Sequence, residues 1–218
     1  MSERVKEACL RANLKELAAN VVAGEAEWEV LYGQQPLALQ HAMAALQLSP
    51  TLNVTSSAAV TLTVAGQERK ALDVLNPFLK QRPDDTILQH VALPTIQAIV
   101  ELKNGHPEKA LELLKSAEPY DAASTGVHYL RGTAYLRSGR PAEAILEYQK
   151  VLSLKLSRSF GPETVGVLAQ LGLARAYAAQ GDKAKARTAY QDQLATWKDA
   201  DSDLPLVQKA KAEYAKLQ

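Results

Sequence analysis

A glycine followed five residues later by an alanine recurs five times along this chain, at Gly33 and Ala38, Gly66 and Ala71, Gly105 and Ala110, Gly139 and Ala144, and Gly181 and Ala186. Successive glycines are 33, 39, 34 and 42 residues apart, a period of about 34 residues with short insertions in the third and fifth units. Such a repeat reads as a helix, a tight turn and a second helix. Glycine ends the first helix in a left-handed conformation that residues with a β-carbon adopt at a cost. Pro36, Pro107 and Pro141 follow their glycines by two or three residues, in the first turn of the next helix, where a missing N–H does no harm. The alanine then falls where the two helices cross. Four residues further on come Ala42, Leu75, Leu114, Tyr148 and Tyr190, on the same helix face. Pro50 and Pro83 close second helices, each 17 residues after its turn glycine.

Composition agrees with a helical reading. The 218 residues include 36 Ala and 32 Leu, both strong helix formers. The β-branched and aromatic residues that strands need are less used. Net charge is only +1, which leaves no basic excess for a phosphate-neutralising surface, so no nucleic-acid partner is expected. The charges are unevenly spread: Val30 to Gln67 is a run of 38 residues without Asp, Glu, Lys or Arg. This run spans the second helix of the first unit and the first helix of the second, and predicts a two-helix layer without a charged face. Some of it must be core; the exposed remainder is expected to dock a partner or a second copy. Gly33, Pro36, Pro50 and Asn53 interrupt it, so no membrane span is expected. The N-terminal twenty residues are charged every few positions and lack the apolar core of a signal peptide. Cys9 is the only cysteine and can form no internal disulfide.

The offsets resemble the tetratricopeptide repeat, in which small residues at positions 8 and 20 and bulky ones at 11 and 24 interlock the helix pair. GTAYLRSGRPAEAILEYQKVL and LARAYAAQGDKAKARTAYQDQL are strong matches, and VTLTVAGQERKALDVLNPFLKQRP is a good one. The units around Gly33 and Gly105 are weak, with Glu29 and Glu101 where a large apolar residue belongs. The resemblance implies an all-α, right-handed superhelical stack of about five hairpins forming one domain over residues 1–218. Its units run over 1–50, 51–84, 85–121, 122–157 and 158–200, with a capping helix over 203–218. Helices are expected from Ser2 to Gly24 at the start and from Leu204 to Leu217 at the end, the last beginning after Asp203. Two stretches, Asp85 to Asp121 and Leu171 to Gln218, further resemble the C-terminal repeat region of bacterial serine/threonine protein kinases of the acidobacterial type. The pattern LPT and the ending that runs from YQD through WKDAD to AKAEYAKLQ carry that likeness. It implies a regulatory or scaffolding role, cytoplasmic for the chain as given and periplasmic if the parent kinase spans a membrane.

Catalytic patterns are missing. There is no glycine-rich phosphate loop, no His-Arg-Asp and no Asp-Phe-Gly, so the groups that hold magnesium and place a nucleophile in a kinase are not in these residues. His41, His90, His106 and His128 lie far apart, without zinc-ligand spacing. No enzyme activity, cofactor or metal is expected. Cys9 reads as an inert buried thiol, Trp28 and Trp197 as core, and His106 as a solvated turn residue. The basic residues Arg175, Lys183, Lys185 and Arg187 share a hairpin with Asp182 and Asp192 and read as a solvated face.

What remains is a surface. By the resemblance, positions 2, 5, 9, 12 and 13 of each unit line a concave groove, which places Asn53, Ser56, Val60 and Thr63, then Thr95, Ile99 and Lys103, then Tyr129, Thr133, Arg137 and Arg175 along it. The family's clamp for a C-terminal carboxylate needs Lys and Asn where Ser56, Val60, Thr95, Ile99 and Tyr129 stand, so that specificity is not supported. A protein or peptide partner is the leading expectation. A concave surface with no fixed ligand, and a homodimer that needs no other ligand, are the alternatives.

Overall fold

The structure, a computed structural model, describes residues 2–157, 163–201 and 204–218. Among the described residues every regular element is helical. The chain divides into two compact units, Met1–Ile96 and Gln97–Gln218. The first contains α1 (Ser2–Arg11), α2 (Lys15–Leu31), α3 (Gln35–Leu48), α4 (Leu52–Val64), α5 (Glu68–Gln81), a π-helical turn (Leu88–Ala92) and the start of α6 (Leu93–Lys103). In the second lie the rest of α6, α7 (Pro107–Leu114), a 3-10 stretch (Lys115–Ala123), α8 (Thr125–Arg137), α9 (Pro141–Ser157), α10 (Glu163–Gln180), α11 (Lys183–Thr196) and α12 (Pro205–Ala215).

The five repeating glycines are the five hairpin turns. Gly33, Gly66, Gly105, Gly139 and Gly181 have φ of 83°, 82°, 80°, 72° and 88°. In each turn the residue after the glycine donates its N–H to the carbonyl five residues back: Gln34 to Glu29, Gln67 to Leu62, His106 to Glu101, Arg140 to Tyr135 and Asp182 to Tyr177, at 2.8 to 3.0 Å. This wide bond satisfies a carbonyl that the helix end would otherwise leave unpaired. The same five residues then accept from the repeat alanines: Ala38 N–H bonds to the Gln34 carbonyl, and Ala71, Ala110, Ala144 and Ala186 do likewise with theirs. One pentapeptide thus closes one helix and opens the next.

The small residues sit where the helices touch. All five repeat alanines are fully buried, as are Ala42, Leu75 and Leu114, while Tyr148 and Tyr190 are 2% exposed. In the first unit Ala26 of α2, Ala42 of α3 and Ala58 of α4 meet in one cluster. Three methyl groups at one crossing bring the backbones close, and a larger side chain there would overpack at about 1–3 kcal/mol. The next layer is Ala59, Leu62, Ala71, Leu75, Leu88 and Ile96. In the second unit one cluster centres on Tyr148 with Ala144, Val151, Ala169 and Ala176, and another on Tyr190 with Leu171, Ala174, Trp197, Val207 and Ala210. The second cluster includes α12 residues, which makes α12 a cap on the last hairpin.

Several sequence expectations need correction. The N-terminal helix does not run from Ser2 to Gly24: it breaks at Asn13, which takes φ of 60°, and α2 passes through Gly24 to Leu31. Asn is among the few residues that tolerate the left-handed region, so Asn13 acts as the stop of α1. The final helix is Pro205–Ala215, shorter than Leu204–Leu217 at both ends. Residue 158, where the fifth unit is expected to begin, and Asp203, before the cap, lie outside the described residues. Trp197 and Cys9 are buried as expected, but Trp28 is half-buried and stacks on Tyr32 with ring centroids 5.5 Å apart. No helix among the described residues is long and apolar enough to cross a membrane.

Candidate functional site

The groove residues of the first unit do not form one open surface. Asn53 is exposed and donates to Asn20 Oδ1 on α2 at 2.8 Å. Ser56, Val60 and Thr95 are half-buried. Thr63 is fully buried, and its hydroxyl donates to the Ala59 carbonyl at 2.8 Å, one turn back on α4; its position on the helix turns it into the core. Next to Ser56, Ser57 donates to the Glu27 carboxylate of α2. The face between α2 and α4 is therefore bridged by its own polar groups.

The second unit differs. Tyr129, Thr133 and Arg137 lie four residues apart on α8, in one line along the helix. Arg175 comes from α10, the first helix of the next hairpin, which also packs on α8. Thr133 donates to the Tyr129 carbonyl at 3.0 Å and lies 3.3 Å from the Tyr148 hydroxyl. The Tyr129 and Tyr148 rings are tilted, with centroids 6.1 Å apart. Tyr129, Thr133 and Arg175 are half-buried and Arg137 is exposed, so solvent reaches this group. The structure brings these four sequence-derived residues together. Of the others in this unit, Lys103 is exposed at the end of α6, whereas Ile99 is buried.

Tyr148 is the member that sequence reading placed only in the core. Its ring passes between α8 and α10, across Gly132 and Gly172. A β-carbon at Gly172 would lie 2.4 Å from its Cζ, and one at Gly132 would lie 2.7 Å from its Cε1. Both glycines are helical, where glycine costs about 1 kcal/mol relative to alanine, and here each makes room for a ring. The pair of glycines on facing helices is the signal that a side chain from the second helix crosses to the first-helix side.

The charges around this group are partly committed. Arg137 Nη1 donates to the Leu102 carbonyl at 2.6 Å, near the C-terminal end of α6. Arg175 Nε donates to Glu213 Oε2 of α12 at 2.8 Å, and the Tyr190 hydroxyl donates to the same oxygen at 3.1 Å. Arg175 Nη2 is buried and makes no hydrogen bond. Burial pushes the Tyr129 and Tyr148 phenols above the ordinary tyrosine range, against the opposing pull of Thr133 and of the Arg137 and Arg175 charges. Both phenols therefore remain protonated at neutral pH.

His128 of α8 and Glu147 of α9 form a buried pair, Nδ1 to Oε2 at 2.7 Å, and Lys150 donates to the other carboxylate oxygen at 2.8 Å. Burial works against ionisation of Glu147, but its hydrogen bonds with His128 and Lys150 outweigh it and hold its carboxyl below the usual range. Glu29 and Glu101, the two residues that broke the apolar pattern, each take a histidine of the same hairpin: His41 at 2.8 Å and His106 at 2.7 Å. These pairs join elements of the fold, and Glu147 and Lys150 also line a surface pocket with Tyr135, Glu143 and Leu146. Among the described residues no cluster of His, Cys, Asp or Glu could hold a metal ion.

No curated protein matches the chain. Residues 97–160 and 167–192 each match the tetratricopeptide-repeat family. Both segments lie in the second unit and include Tyr129, Thr133, Arg137, Tyr148 and Arg175. Over these matched residues, the hairpins around Gly139 and Gly181 resemble the tetratricopeptide repeat.

Proposed function

We propose that this chain is a non-catalytic interaction module that takes a peptide or an extended segment of a partner protein along the α8 and α10 face of its second unit. What supports this reading is one observation: Tyr129, Thr133, Arg137 and Arg175, from two neighbouring first helices, stand together where solvent reaches them. Aromatic and Arg side chains are the residues most often responsible for binding energy at interfaces. The test is crosslinking and capture from the source cell with the wild-type chain and with the Tyr129→Ala, Arg175→Ala double variant. A partner held by the first and lost by the second is expected; the same proteins captured by both would sink the reading.

The likeness of Asp85 to Asp121 and Leu171 to Gln218 to kinase-associated repeats supports a more specific role, the regulatory or scaffolding region of a bacterial serine/threonine-kinase signalling protein. Sequencing of the reading frame upstream of Met1 tests it. A kinase domain there is the expected result, and an unrelated gene ending immediately before Met1 overturns it.

A second reading, self-association, is favoured by a different observation. The exposed face of α3, with Leu37 39% and Met43 41% exposed beside Gln40 and Gln47, has no charged residue. Two copies could appose it without desolvating a charge, and charged residues are depleted at interface cores. Sedimentation that finds only monomer at high micromolar concentration rejects this reading.

A further inference from the structure

We propose that α1 is the second-helix half of a hairpin, and that its bare side receives a helix of a partner protein with Asp or Glu along the edge of an apolar stripe. This surface belongs to the first unit and is independent of the α8 and α10 reading above. Register places α1. Val5, Cys9 and Ala12 stand 33 residues before Ala38, Ala42 and Ala45 of α3, and Ala38 and Ala42 stand 33 before Ala71 and Leu75 of α5. Three residues separate α1 from α2, as three separate α3 from α4. Second helices elsewhere pack between two first helices, α3 between α2 and α4, and α9 between α8 and α10. The first helix on which α1 packs is α2, the one that follows it. Exposure records the difference. The repeat-alanine position is fully buried in all five hairpins, whereas Val5, its counterpart in α1, is 44% exposed. Ala42 and Ala45 are also fully buried; Cys9 is buried as well, but Ala12 is exposed.

Val5, Ala8 and Ala12 are all exposed and share one face of α1 by their helical spacing. At the corner after Asn13, Leu14 and Leu17 are 51% and 50% exposed and line a groove of about 750 Å³. In the complete hairpins a first helix lies against the second, so the shape that fits the bare side of α1 is again a helix. Charge selects which helix. Arg4 and Arg11, both exposed, run along one edge of the Val5 face. Arg11 lies 3.7 Å from Glu7 in a pair open to water; such pairs are weak, and an incoming carboxylate competes for the guanidinium. A second copy docked by two-fold symmetry on this face would set Arg4 against the other copy's Arg11, and like charges repel. An acidic edge on a different protein meets both arginines.

The test uses the full chain, isotopically labelled, and three peptides with acetylated and amidated ends. The first is three repeats of Leu-Glu-Ala-Ala-Leu-Ala-Glu, a helix former with Leu and Ala on one stripe and Glu on its edges. In the second, Lys replaces every Glu; the third has the composition of the first with the stripe scrambled. The expected result is saturable amide shifts at Val5, Ala8 and Ala12 with the Glu peptide, and affinity about tenfold weaker for the Lys and scrambled peptides. Val5→Glu, at an exposed position, should abolish those shifts, and Arg4→Glu should turn the preference toward the Lys peptide, with circular dichroism confirming unchanged helix content. Shifts confined to α8 and α10 overturn the proposal and leave the reading of that face standing. Equal affinity for the Glu and scrambled peptides overturns the docked helix, and equal affinity for the Glu and Lys peptides overturns its acidic edge. No shifts up to about 1 mM peptide, enough to detect binding of that strength, also overturns it. A dimer of the free chain that Val5→Glu dissolves would assign the α1 face to a second copy instead.

Discussion

Gly132 and Gly172 are residues whose importance lies in atoms they lack. A β-carbon at Gly172 would stand 2.4 Å from Tyr148 Cζ, inside any real carbon contact, and the ring cannot give way because it is 2% exposed and walled by Ala144, Ala169 and Ala176. Gly172→Ala gains helix propensity of about 1 kcal/mol and still destabilises the protein, by about 1–3 kcal/mol net of overpacking strain. Denaturant unfolding monitored by circular dichroism gives the difference. Combining it with Tyr148→Leu should recover much of the loss, because the smaller side chain vacates the space, and absence of that coupling would place the strain elsewhere. The two Glu–His pairs with the deepest carboxylates behave oppositely in pH. Glu147 has two hydrogen-bond partners, His128 and Lys150, and a lowered pKa, so it binds fewer protons folded than unfolded. Its contribution is fully present above the ordinary glutamate range and is lost as pH falls through the folded value. Glu29 has one partner, His41, and burial prevails over it, raising the pKa. Its contribution is fully present below the ordinary glutamate range and is lost as pH rises through the raised value. As pH rises, the stability of Glu147→Gln relative to wild type should therefore fall, across about pH 3 to 5, and that of Glu29→Gln should rise, across about pH 4 to 7. Unfolding titrations across those ranges check the two slopes, and slopes of the same sign contradict the assignment.

Among elements, the hairpin turn was the part most legible in the sequence, and the reason is local. A positive φ near 80° strongly favours glycine, and in these five turns the next residue's N–H finds the carbonyl five back, so the signal lies within six consecutive residues. At Gly181, with φ of 88°, a β-carbon would meet nothing within 4 Å. Gly181→Ala thus costs only backbone strain, about 1–2 kcal/mol, with no rescue available from any neighbour. That contrast with Gly172 separates conformational from steric glycines, and thermal melts of the two variants with and without Tyr148→Leu reveal it. Breaks that depend on wider context were not legible. The π-helical turn at Leu88–Ala92 precedes Pro94, whose ring would press on the His90 carbonyl in an α-helix and which donates no N–H. The pairing of Glu29 with His41, twelve residues on, likewise required the hairpin to be folded before the acid's place made sense. In the candidate site, the α8 stripe follows from a spacing of four and could be read directly. The Tyr148 hydroxyl could not, because its position depends on two glycines 40 residues apart on different helices.

For the molecule as a whole, charge is segregated by unit, and this separates the two modes of association. Met1–Ile96 has eight Lys and Arg against ten Asp and Glu, a net of −2, and includes the uncharged α3 and α4. Gln97–Gln218 has a net of +3 and holds the Tyr129 to Arg175 group. Binding an acidic peptide at the second unit exchanges protein–salt for protein–peptide attraction, so it weakens as salt screens the field over a Debye length of about 8–10 Å at 0.1–0.15 M. Association through the α3 face involves Leu37, Met43 and glutamines, with no charge to screen. Sodium chloride should leave it unchanged, and sulfate should strengthen it by disfavouring exposed apolar surface. Raising sodium chloride from about 50 to 500 mM should thus weaken binding of an acidic peptide several-fold, while the sedimentation coefficient distribution of the free protein stays the same. The Leu37→Glu, Met43→Glu variant should abolish any sulfate-driven dimer and leave the peptide affinity intact. Were peptide affinity to fall with that variant, or dimerisation to weaken with sodium chloride, the two surfaces would not be independent, and the charge-free run would belong to the ligand site.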